Sequence, residues 1–252
     1  MTVEVFLHYN VLYKNDRATV RGDLETLVKR YPNISLMDLN EARENTPQGR
    51  GIKDFCRAHG WEYRWSPSDV VLAWDPKTWT LDEFGGSRKI AKGARELGHT
   101  FSHNPARHLT WQGLTHRDGT RHLVYGGHHT AGYYKPDGAY PPVVQAYKRQ
   151  AGQACVLNTN AVQAGHFAAH PEYGFHHFLI DMNCPQGGLD RFWWLPTIVT
   201  RGLWVPDTRK GAIDWIMHSH AAAANGLTVR KRWVERRDMD SDHAAHLVKV
   251  RW

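Results

Sequence analysis

The residues best suited to chemistry in this chain are an aspartate and an asparagine two positions apart, Asp181 and Asn183, between an apolar run at 178–180 and a Pro/Gly-rich stretch at 185–188. Residues i and i+2 of a strand share a face, so this carboxylate and carboxamide would stand together at the rim of a sheet, where they can hold a water and a polar substrate. Asp-x-Asn by itself is more often a turn. It gains weight from similar residues that close other strand-like segments: Asn10, Glu41, His129, Asp214 and the pair Asp242-His243. Loops at one rim of a packed sheet are where sites are built, and carboxylate and amide oxygens are hard donors suited to Mg2+ or Mn2+. Each residue taken singly has a plainer reading: Asn10 as a strand-end cap, Glu41 as a solvated acid, Asp242-His243 as a turn.

The elements that must position them can be read from periodicity. Val3, Val5, Leu7 and Tyr9 alternate with Glu4, Phe6, His8 and Asn10, the pattern of a strand that ends on a polar residue. Leu24, Leu27, Val28 and Tyr31 at helical spacing predict a helix with Asp23 as its cap and Pro32 as its stop. A strand over residues 34–39 then leads to Asn40 and Glu41, and Thr46-Pro47 starts a second helix that Gly60 closes. From Trp61 the pattern becomes a meander, with strands over 61–65, 69–74, 79–84, 109–115 and 121–126, the last two joined across Asp118-Gly119. Residues 85–108 read as an exposed basic connection. A helix opens at Pro141-Pro142, and another is expected within 151–171. His176 and His177, in the strand before Asp181, read as structural, one in the core and one on the surface. Strands over 213–218, 227–234 and 246–252 finish the chain.

Composition narrows the class. With 252 residues, 41% hydrophobic and 23% charged, the chain is expected to fold as one large globular domain. A net charge of +7 favours a polyanionic partner. Cys56, Cys155 and Cys184 are too scattered for a disulfide framework or a cysteine zinc site, which suits a reducing compartment. His218-x-His220 is followed by Ala221 to Ala224 rather than further ligands, which argues against zinc there. There is no leader-like start and no 18-residue apolar run, so a soluble cytoplasmic protein with no membrane partner is expected.

The segments Tyr9-Asn10-Val11, Leu39-Asn40-Glu41-Ala42, Gly127-His128-His129-Thr130, Ile180-Asp181-Met182-Asn183, Ala212-Ile213-Asp214-Trp215-Ile216 and Ser241-Asp242-His243 together resemble the endonuclease/exonuclease/phosphatase superfamily, in that family's order and across almost the whole chain. The resemblance implies an α/β four-layer sandwich of two packed mixed β-sheets flanked by helices. It implies that Asn10, Glu41 and Asp242 serve the metal site and that Asp181 and Asn183 handle the attacking water and the phosphate. It also implies that His243, oriented by Asp214, contacts the scissile phosphate, with His129 as a second histidine on the phosphate side. Asp69 is the candidate for an acid that some members place before the strand at 69–74. The chain departs from the family pattern at Ile180, where glycine is usual, and at Asn40, where glutamine is usual. The first change is expected to narrow the approach to Asp181.

The implied activity is Mg2+- or Mn2+-dependent phosphodiester hydrolysis, with nucleic acid, DNA first, as partner of a monomer. Arg230 and Arg232 can track a phosphate backbone, and Trp193 can stack on bases. Two other readings stay open: a phosphatase or phosphodiesterase of a small phosphorylated molecule, and a catalytically silent nucleic-acid-binding module.

Overall fold

Alternation sorts the first strand, β1 (Val3–Asn10), between two environments. Val5, Leu7 and Tyr9 pack among helices, whereas Phe6, which shares its parity with His8 and Asn10, packs against a second sheet. The computed structural model describes residues 2–100, 105–133, 135–183, 214–241 and 243–252. After β1 come α1 (Arg17–Arg30), β2 (Ile34–Asn40), α2 (Pro47–His59), β3 (Glu62–Trp65), β4 (Val70–Trp74), β5 (Trp79–Ala91), β6 (Arg107–His116) and β7 (Arg121–His128). Then follow α3 (Pro142–Ala169), β8 (Phe175–Asp181), β9 (Asp214–His218), α4 (His220–Ala224), β10 (Thr228–Glu235) and β11 (Ala245–Arg251).

The strands form a six-stranded sheet in the order β10-β11-β1-β2-β4-β3 and a five-stranded sheet in the order β5-β6-β7-β8-β9. Both are mixed, since β1 and β2 pair in parallel, as do β7 and β8, while the remaining pairs are antiparallel. Val20, Leu24 and Leu27 of α1 and Ile52 and Phe55 of α2 cover one sheet, and Tyr147, Cys155 and Val156 of α3 cover the other. Phe6, Leu36, Leu72, Val124, Leu179, Ile216 and Val248 fill the space between the sheets. The result is the expected four-layer α/β sandwich.

Local expectations hold where a cap is chemically unambiguous and shift elsewhere. Thr46 caps α2 by accepting from the Gly49 N–H, and Gly60 ends it in the left-handed region at φ 70°. The cap of α1 is Asp16, which accepts from Thr19 N, so the cap lies nearly two turns before Asp23. Asp23 is buried inside α1 and accepts from the Tyr9 hydroxyl at 2.5 Å. Residues 85–91 are not a connection, because β5 continues to Ala91 through irregularities in its pairing with β6. The two expected helices after Pro141 are one uninterrupted helix. His176 and His177 are both buried. Cys56 and Cys155 are buried free thiols, and among the described residues no helix is long and apolar enough to cross a membrane.

The lower end of the inter-sheet space holds a row of imidazoles. Thr120 donates its hydroxyl to Asp118 at 2.6 Å, so His122 Nε2, 2.9 Å from that hydroxyl oxygen, must carry a proton and donate to it. His122 Nδ1 then accepts from His177 Nε2 at 2.8 Å, and His177 Nδ1 accepts from His218 Nδ1 at 2.8 Å. This chain of donors requires neutral rings at His122 and His177, whose Nδ1 atoms accept, and His218 offers its Nδ1 proton at the end of the row. Burial lowers all three, His218 to about 3 and the other two well below their ordinary range. The unfolded chain takes up these protons near pH 6.5, so the stability they allow is fully present above that pH and is lost as pH falls toward the folded values. Unfolding free energy measured in urea should therefore decline below about pH 6, with a slope approaching ~4 kcal/mol per pH unit from these three groups. A flat profile between about pH 7 and about pH 5 would contradict their neutrality.

Candidate active site

Strand direction gathers the site. The carboxyl ends of β1, β2, β7 and β8 and the amino ends of their antiparallel neighbours β4, β6, β9 and β11 lie on one rim, as the pairs Asn40↔Val70, Leu109↔Gly127, Asp181↔Asp214 and His8↔His246 show. Side chains of even parity on β1 and β2 point between the sheets, where they meet β8 and β9 of the other sheet.

Asp181 sits at the centre. It is 1% exposed, accepts from Asn10 Nδ2 at 3.3 Å across the sheets, and accepts from the Asn183 backbone N–H at 2.7 Å. Asn183 adopts φ 51°, a conformation asparagine tolerates, and its side-chain amide donates to the His129 carbonyl at 3.0 Å. Burial, then the charge of Asp214, push the Asp181 carboxyl above its usual range. Ile180 does not narrow this approach. Its side chain lies in the core beneath α3, opposite Gly127, whose missing Cβ leaves room for it: a Cβ there would come within 3.0 Å of Ile180 Cδ1.

Asp214 is held from two sides. Its Oδ2 accepts from His243 Nδ1 at 2.8 Å, and its Oδ1 accepts from His8 Nε2 at 2.9 Å. His8 Nδ1 is 2.7 Å from Asp38 Oδ2, to which Asn40 Nδ2 also donates at 2.9 Å. Two acceptor-only carboxylates on one ring call for protons on both nitrogens. Burial disfavours that charge, yet the bonds to Asp214 and Asp38 outweigh it and push His8 up to about 10. Asp38 rises to about 6 through burial, and Asp214, despite its burial, is held well below the carboxylate range by His243 and His8. Asp38 and His8 were not among the sequence-derived candidates. The available signal was parity, since His8-x-Asn10 and Asp38-x-Asn40 repeat the spacing of Asp181-x-Asn183.

The two neighbouring histidines after β7 part company. His129 is fully buried, with Nε2 3.3 Å from Thr159 Oγ1 on α3, and burial lowers it to about 3. Its ring therefore faces the helix layer, and the residue that faces Asp181 is His128, 3.5 Å from it through Nε2. The shift of one residue follows from alternation along β7. Asp69 Oδ2 accepts from Arg107 at 2.7 Å and lies 3.1 Å from His128 Nδ1, and despite burial the Arg107 charge, with His128 beside it, holds Asp69 well below the carboxylate range. Asp69 thus lies where the acidic partner was sought, and Arg107 is a further cation there.

Glu41 follows β2 at φ 63° and accepts from Tyr13 N at 2.9 Å. With Asn10 it offers hard oxygen donors from two adjacent strand ends, and Asn40 Oδ1 beside them is buried without a hydrogen-bond partner among the described residues. That donor chemistry fits a divalent cation. Asp181, Asp214 and His243 also bring one ligand atom each within 4.8 Å of one another. Both Asp214 oxygens are already engaged by imidazoles, so we read that trio as a hydrogen-bonded network. Arg230 is exposed and Arg232 half-buried on the edge strand β10, away from these contacts. Asp242 and Trp193 lie outside the described residues.

No protein-family model and no curated protein sequence matches this chain. Solved structures do. A humanized D. rerio TDP2 carrying 14 mutations is 15% identical, covers 99% of each chain and superposes with a TM-score of 0.67. D. rerio TDP2 complexed with a single-strand DNA product is 13% identical, covers 100% of each chain and has a TM-score of 0.64. A mannosyl-6-phosphatase of Bacteroides thetaiotaomicron is 13% identical over 99% of this chain and 100% of that one, also at 0.64. The chain has the endonuclease/exonuclease/phosphatase fold.

Gly126 offers a direct probe of the buried network. A Cβ there would collide with Asp38 Oδ1 and come within 2.8 Å of Leu72 Cδ2. Gly126→Ala is expected to destabilise the fold by about 2 kcal/mol, read as a lower thermal midpoint. Wild-type stability in that variant would mean that Asp38 is not confined as described.

Proposed function

We propose that this protein is a divalent-metal-dependent phosphoesterase and, within that class, a nuclease that hydrolyses phosphodiester bonds of DNA as a monomer. The observation that carries the reading is the convergence of Asn10, Asp181, Asn183, Asp214 and His243 on one rim between the sheets. Asn10 and Glu41, joined by Asp242, would hold the metal, which when bound neutralises charge on a phosphate oxygen. Asp181, destabilised as an anion by burial and by Asp214, is suited to accept a proton from the attacking water. Asn183 ties the end of β8, which carries Asp181, to the His129 carbonyl, and Asp214 turns His243 toward the phosphate. Asp38 and His8 act as positioning residues, because His8, held by Asp38, occupies one Asp214 oxygen and leaves only the other for His243.

The +7 charge and the similarity to a TDP2 complexed with single-strand DNA favour DNA. The similarity to a mannosyl-6-phosphatase supports a second reading, a phosphatase of a small phosphate ester. Cleavage of plasmid and oligonucleotides with Mg2+, Mn2+ or EDTA separates the two. Asp181→Ala and His243→Ala are each expected to lower the rate by at least about a hundredfold, and unimpaired cleavage by both would overturn the assignment. Asp38→Asn should lower kcat about tenfold while KM stays near wild type, the mark of a misplaced His243 rather than weaker binding. Turnover of a small ester without cleavage of DNA or RNA would select the phosphatase. Salt-sensitive DNA binding without hydrolysis would select the silent module.

A further inference from the structure

The outer face of the six-stranded sheet carries a groove between the end of α1 and the edge strand β10. Its walls include Arg30, Tyr31, Lys231, Trp233, Glu235 and Lys249, with Arg236 and Arg237 where β10 ends. Lys231 and Lys249 are direct cross-strand partners, and like charges placed opposite one another in an antiparallel pair are destabilising. The groove's own carboxylate does not relieve them. Glu235 accepts from the Tyr31 hydroxyl at 2.8 Å and from the backbone N–H groups of Arg236 and Arg237 at 3.0 and 2.9 Å, and it pairs with Arg30 at 2.9 Å. Among the described residues neither Lys231 nor Lys249 has a carboxylate partner. Lys231 Nζ instead lies 5.5 Å from the Trp233 ring centroid. Two opposed ammonium groups and a nearby Arg236, against an aromatic wall, match a ligand that carries several spaced negative charges.

The groove runs along β10 and β11 toward the rim that carries the site. Its wall residues Val234 and Glu235 pair with His246 and Ala245, and Ala245 lies two residues after His243. At about 3.4 Å per strand residue, Lys249 stands roughly 13 Å from Ala245, a span of a few nucleotides. We infer that this groove holds the phosphate backbone of a nucleic-acid strand whose scissile bond lies in the cleft, so that the substrate is a chain several nucleotides long. The inference rests on the phosphoesterase reading of that cleft.

The test is fluorescence anisotropy of labelled single-stranded DNA, from a dinucleotide to a dodecamer, at increasing KCl and with EDTA present to prevent cleavage. Lys231 is exposed and Lys249 half-buried, so the double variant Lys231→Gln/Lys249→Gln should keep its fold, which circular dichroism checks. The dodecamer is expected to bind the variant about tenfold more weakly, with a log–log salt slope smaller by about 0.7 for each lost phosphate contact, while the dinucleotide distinguishes the two proteins little. Equal affinity and slope for the dodecamer would overturn the groove, as would an equal loss at every length, which reports net charge alone. Competition by polyglutamate as effective as by the dodecamer would also overturn it, in favour of an acidic protein partner. If the wild type cleaves DNA but the variant binds normally, the groove fails and the cleft reading stands. If the dodecamer senses the lysines but the wild type hydrolyses nothing, the groove's preference for nucleic acid survives and the cleft reading falls.

Discussion

The bond between His8 and Asp214 ties one sheet to the other, and the polar interior at the rim is built on it. His8 belongs to β1 and Asp214 to β9, and the 2.9 Å contact closes a chain from Asp38 through His8 and Asp214 to His243. Buried charges are tolerated only when paired and fully hydrogen-bonded. The arrangement pairs its charges by alternating carboxylate and imidazole, and Asn40 adds a further donor to Asp38 Oδ2, whereas Asp38 Oδ1 is buried with no hydrogen-bond partner among the described residues. Gly126 leaves the space that Asp38 occupies.

The inter-sheet space is consequently divided by protonation. At the rim, carboxylates surround His8 and keep it charged, whereas at the far end His122, His177 and His218 bond to one another and stay neutral. The same residue type takes opposite states because its partners differ, acceptor-only carboxylates in one case and other imidazoles in the other. Asp181 lies near the charged end but is buried and feels Asp214 as a like charge, which separates the two acids into one anchored anion and one carboxyl raised above its ordinary range.

An identity of 12–15% to several solved structures is enough for the same fold because the architecture depends on apolar parity and strand order rather than on particular side chains. The exchange between Ile180 and Gly127 illustrates this. Glycine is absent from the position before Asp181, yet the cross-strand neighbour supplies the missing space.

Sequence alone determined the parity of β1, the presence of strands at β2, β8 and β11, the capping of α2 by Thr46 and Gly60, and the polar residues at strand ends, because alternation and capping are local. It also placed Asp181, Asn183, Asp214, His243 and Asn10 in one site through the order of short motifs. Only the tertiary structure decided which of His128 and His129 faces the cleft, since that depends on the phase of β7 at its last residue. The roles of His8 and Asp38 were equally out of reach. Each looks like an isolated polar residue in an apolar strand until β9, some two hundred positions away, brings Asp214 between the sheets and makes their burial favourable.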